Sequence, residues 1–142
     1  MKYIYSLAAA FLFSFTLLAQ DYGLSKVGAL DLCASHSSKA SDIWGFSDKE
    51  GNEYAIVGLR NGTSIVKICD PANPEEVFFE LGAESIWRDI KTWNNHAYVT
   101  TEEPQGLLII DLGTLPGNTN LTTNYYNGPA SDQWASAHNL FI

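Results

Sequence analysis

The chain has 142 residues, of which 8 are basic and 16 acidic, and its formal net charge at pH 7 is −8. Nucleic acid and anionic membrane surfaces require a basic footprint, so this balance argues against both as partners. The length suits one domain.

In chain order, the first feature is an export signal. Lys2 supplies a positive charge, and an apolar run follows from Leu7 to Leu18, broken only by Ser14 and Thr16. The run, about 12 residues, falls short of the ~20 that a membrane span requires. A signal peptide is therefore expected over residues 1–19, cut near Ala19–Gln20 or Gln20–Asp21; the alternative is an uncleaved N-terminal anchor. The first cysteine is Cys33, which argues against a lipid anchor at this end. Cleavage removes Lys2 and no acid. The mature chain, residues 20–142, then carries 7 basic and 16 acidic residues and is expected to be secreted or held at the cell surface, without membrane insertion.

Two cysteines, Cys33 and Cys69, remain in this exported chain. An oxidising compartment permits a bridge between them, which would stabilise by roughly 3–4 kcal/mol in the chain-entropy view. The alternative is two separate thiols. With no histidine cluster nearby, they do not form a zinc site.

Beyond the leader, no segment has a helical period. Short apolar runs rich in β-branched and aromatic residues occupy Tyr54–Leu59, Thr63–Ile68, Val77–Leu81, Ala97–Thr101 and Leu107–Leu112. Turn signals separate them, including Asp48–Asn52, Arg60-Asn61-Gly62, Asp70–Pro74, Asn94-Asn95 and Pro104-Gln105-Gly106. This pattern predicts an all-β fold. Residues 113–135, rich in Gly, Pro and Asn, are expected to be the longest loop and a plausible binding surface.

An internal repeat narrows the fold further. Tyr54 and Tyr98 each precede a glycine, Gly62 or Gly106, by 8 residues, and the two copies lie 44 residues apart. Asp42-Ile43 matches Asp89-Ile90, Ile68-Cys69-Asp70 is aligned with Ile109-Ile110-Asp111, and a third copy opens at His138–Ile142. Four strands per repeat of about 44 residues fit one blade of a β-propeller. The expected architecture is an incomplete propeller, about two blades plus the start of a third, forming the N-terminal part of a longer domain. The competing expectation is a small β-sandwich.

The stretches Ser41–Gly45, Glu53–Gly58, Asn61–Ser64, Asp70–Pro74, Ser85–Lys91, His96–Val99, Gly106–Leu112 and Ala137–Asn139 together resemble the LVIVD-repeat proteins of the choice-of-anchor B family. The match covers about residues 41–142. The resemblance implies an exported bacterial β-propeller and says little about chemistry.

Candidate sites follow from the repeat. Asp42, Asp89 and His138-Asn139 occupy equivalent positions, each just before an apolar residue that opens a strand. Ringed around one channel mouth, they could hold a metal ion or polar ligand; alternatively, each bonds backbone donors between blades. Trp44 and Trp87 are either ligand platforms or packing. Arg88 would bind an anion bidentately or form a buried ion pair. His36 and Asp42 could be imagined in a hydrolytic triad, but no nucleophile-elbow motif accompanies them. Asp48, Glu50, Asn52 and Glu53 superficially suggest a calcium loop, yet they lack its spacing and read better as a hairpin turn. The function expected is a non-catalytic binding module for an extracellular protein, glycan or small ligand, with no cofactor and with a bound metal ion left open. The alternative is an extracellular metal-assisted hydrolase or lyase.

Overall fold

The structure, a computed structural model, describes residues 23–142. The expected leader, 1–19, lies outside the described residues. The described chain begins with one helical turn, α1 (Leu32–Ser35), capped by Asp31, whose carboxylate accepts the Ala34 N–H at 2.9 Å. Leu32 beneath it packs on Leu59 and Val66.

Eight strands follow in two antiparallel meanders. β1 (Ala40–Ser47), β2 (Glu53–Leu59), β3 (Gly62–Lys67) and β4 (Glu75–Leu81) form one sheet; β5 (Ile90–Trp93), β6 (His96–Val99), β7 (Leu107–Asp111) and β8 (Thr123–Tyr126) form the other. Each sheet keeps its strands in sequence order, as tight turns between alternating strands dictate. Asn94 and Asn95, between β5 and β6, both have positive φ, at 47° and 59°, the mirror-turn geometry that suits a two-residue hairpin.

Period-two alternation sets the packing. Tyr54, Ile56 and Ile65 turn one face of the first sheet toward the second, where they share a core with Ile90, Ala97, Val99, Leu108 and Ile110. Each of these large side chains contributes about 1.5–3 kcal/mol by leaving water, before the entropy of ordering it. The sheets stack in matching order. β1 meets β5 through the Trp44 indole N–H, which donates to Thr92 Oγ1 at 3.1 Å. β4 meets β8 through the Glu80 carboxylate, which accepts from Thr123 and Tyr125.

Three expectations are corrected. Residues 113–135 are not one loop. They contain β8, and Leu115 and Leu121 within them are buried in the shared core. The alignment of the two repeats also slips. Val57 pairs with Ile43 and Val99 with Ile90, while Tyr54 pairs with Lys67 and His96 with Asp111. The structural match of Tyr54 is therefore His96, not Tyr98, and the match of Asp111 is Lys67, not Asp70. The cause is turn length. Arg60 and Asn61 alone join β2 to β3, whereas residues 100–106 join β6 to β7, so one constant spacing cannot hold through both strands. The expected third copy at 138–142 is not a strand, although Leu140 is hydrogen-bonded to the second sheet.

Candidate functional site

Asp42 and Asp89 stand at matching points near the starts of the first strands of the two sheets. Asp42 Oδ2 accepts the backbone N–H of Ile90 at 2.9 Å, and Asp89 Oδ2 accepts that of Leu140 at 2.7 Å. Each carboxylate thus reaches forward to the residue that follows the next polar position in the series. Ile90 is fully buried, so without Asp42 its N–H would be an unpaired donor in the core. Asp89 also receives the Lys91 ammonium. Burial alone would raise the Asp89 pKa; the Leu140 amide and Lys91 outweigh it and hold the carboxyl below the usual range. Both carboxylates thus accept a backbone amide from a later segment of the chain.

The other candidates divide between scaffold and surface. Arg88 is 5% exposed and donates to the carbonyl oxygens of Leu59, Arg60 and Ala83. No carboxylate faces it among the described residues, which corrects the expected ion pair. It ties the β2–β3 turn to the segment entering β5. Trp44 is committed to Thr92, and its ring lies 4.4 Å from the Lys91 ammonium. Trp87 and His138 remain at the surface, with ring centroids 5.8 Å apart, and His138 Nδ1 lies 2.6 Å from Glu102 Oε1. Asn139 is exposed beside them. The structure therefore brings Trp87, Glu102 and His138 together, with Asn139 next in the chain, and draws Arg88 into the scaffold. Sequence pattern missed Glu102, which belongs to no repeated motif.

The remaining suggestions have structural explanations. His36 does not meet Asp42. Its Nε2 lies 2.7 Å from Glu76 Oε1, and its ring stacks on Phe79. Ser64 donates to the same Glu76 oxygen, so the carboxylate stands between serine and histidine and no triad forms. Asp48 closes its hairpin, accepting from the Glu50 and Asn52 amides, the Asn52 side chain and the Tyr54 hydroxyl. Burial opposes its charge, but these donors outweigh that and hold its pKa down. Burial, with Asp48 alongside, pushes the Tyr54 hydroxyl up to about 12. Cys33 and Cys69 are both free thiols in the structure rather than the expected bridge. Cys69 Sγ turns into the β1–β2 hairpin and accepts the Glu53 N–H at 3.2 Å.

One surface cleft, of about 370 Å³, lies where the β6–β7 loop meets the segment after β8, lined by Gln105, Gly106, Asn127, Gln133 and Trp134. No group of three or more potential metal-ligating side chains occurs among the described residues. No described helix is long and apolar enough to cross a membrane. Comparison with known proteins found no matching family profile, curated protein or solved structure.

Proposed function

We propose that this chain is an exported, non-catalytic binding module, a β-propeller scaffold of the LVIVD-repeat, choice-of-anchor B type that presents loops to an extracellular ligand. One observation supports the reading: the same carboxylate latch occurs twice, from Asp42 of the first sheet to the Ile90 N–H of the second, and from Asp89 at the start of the second to the Leu140 N–H of the segment that follows it. A bond that ties each four-stranded meander to the chain that follows it suits a radial repeat, because each unit buries an apolar face only against its neighbour. Of the residues with the most chemical promise in the sequence, Asp42 and Arg88 bond backbone partners, and Asp89 is shared between the Leu140 amide and the Lys91 ammonium. That leaves recognition to the exposed loops.

The test sets binding against turnover. The full chain is incubated with chromogenic esters, phosphates and glycosides, with and without calcium, zinc or magnesium. No turnover above a heat-denatured control is expected. Turnover that disappears in Asp89→Ala would refute the module and favour a metal-assisted hydrolase. Export is tested by N-terminal sequencing of secreted material, which is expected to begin near residue 20 or 21; retained Met1 would refute it.

A further inference from the structure

The cleft beside Trp134 is built rather than incidental. Trp134 N–H donates to the Asn127 carbonyl at 2.8 Å and Asp132 N–H to that of Pro129 at 2.9 Å, closing residues 127–134 into a tight loop. Opposite, the Gln105 and Gly106 amides both donate to the Ala135 carbonyl, at 2.9 and 2.7 Å, which fixes the second wall. Gly128 has a φ of +90°, and a Cβ there would lie 2.5 Å from the Asp132 carbonyl and 3.0 Å from Trp134 Cδ1. The indole therefore rests against bare backbone, in a position that any larger residue at 128 would disturb.

The groups left over define the ligand. The backbone amides of Gln105, Gly106, Asp132 and Trp134 are already spent on carbonyl oxygens within these walls. Gln105 Oε1 accepts the Ala83 N–H at 2.8 Å, leaving its amide N–H groups. The side-chain amides of Asn127 and Gln133 and the Trp134 indole N–H hold no hydrogen bond among the described residues. No charged side chain lines the cleft. One indole and three planar amides, with no ion, match a sugar ring. Its C–H face lies against an aromatic, and its adjacent hydroxyls each donate and accept. The chain's charge of −8 disfavours acidic polymers.

We propose that this cleft binds a neutral pyranose unit of an extracellular oligosaccharide, stacked on Trp134 and held by the amides of Asn127, Gln133 and Gln105. The proposal rests on the binding-module reading and names its ligand class. The full chain is titrated with neutral hexaoses of β-1,4-, β-1,3- and α-1,4-linked glucose, of mannose and of xylose, and with polygalacturonate. Binding is followed by tryptophan emission and calorimetry. At least one neutral hexaose is expected to bind saturably and polygalacturonate not at all. Trp134→Ala should weaken binding about tenfold or more, the share of a central aromatic anchor. Asn127→Ala and Gln133→Ala, both at exposed positions, should each weaken it by about three- to tenfold. They give an answer even if Trp134→Ala misfolds. The proposal is overturned if no neutral hexaose binds at about 10 mM, a concentration that fills even a millimolar site. It is equally overturned if affinity is unchanged in the amide variants, or if polygalacturonate binds more tightly. Loss of sugar binding without turnover removes the saccharide and leaves the module standing; hydrolysis of a glycoside removes the module itself.

Discussion

Replacing Asp42 by alanine tests the latch directly. The substitution removes one charge-assisted acceptor and strands the Ile90 N–H, which belongs to a residue with no exposed surface. Hydrogen bonds to charged groups contribute about 1.5–3 kcal/mol, and an orphaned buried donor costs about 1–3 kcal/mol; these describe the same loss from two sides and are not summed. The expected destabilisation is therefore about 2 kcal/mol. Asp42→Asn keeps an acceptor of the same shape without the charge and should lose roughly half as much. Urea unfolding followed by circular dichroism measures both, with the slope against denaturant unchanged if only the native state has altered. Asp89→Ala, which also releases Lys91, should cost at least as much if Leu140 is held as firmly as Ile90. An Asp42→Ala protein within about 0.5 kcal/mol of the parent, the scatter of ordinary surface substitutions, would refute the argument that this carboxylate is structural.

Other consequences are open to measurement. Arg88→Met removes the donors held by Leu59, Arg60 and Ala83 and should destabilise by about 3 kcal/mol in the same unfolding assay; Arg88→Lys should not restore it, because one ammonium cannot reproduce the planar fork. The Asp48 and Asp89 carboxyls are depressed in the folded state, so the stability they confer is complete above the unfolded carboxylate pKa, about 3.9. It should fall as pH drops through their lower folded values, an acid-side loss that shrinks in Asp48→Ala and is read from unfolding midpoints across the acid range. Thiol titration of the native chain should count two reactive thiols, with exposed Cys69 faster than half-buried Cys33; a count of zero that rises only after reduction would establish the bridge instead. On the faces turned away from the shared core, Ile43 is 62% exposed and Trp93 61% exposed, so light scattering should detect self-association that Ile43→Lys reduces.

The sequence alone carried the all-β class and most of the strands, because period-two alternation and Gly, Pro and Asn turns are local properties. It also singled out Asp42 and Asp89, since a repeated polar residue before an apolar strand start is visible without a structure. It missed β8, because Thr123–Tyr126 lacks an alternating apolar pattern and its pairing depends on β7 alongside. The repeat alignment slipped by a few residues because insertions gather in turns, where composition offers no register. Only tertiary structure decided how the polar residues were used. Asp42 could have faced a channel or a neighbour's backbone, and the choice depended on where Ile90, 48 residues on, came to rest. Arg88 adjoins an acid in sequence, yet it found the carbonyl oxygens of Leu59, Arg60 and Ala83, the first two 29 and 28 residues away, which no local pattern brings near. The Trp134 cleft likewise joins loops more than 20 residues apart, whose meeting is set by backbone bonds between Gln105, Gly106 and Ala135 that no local pattern encodes.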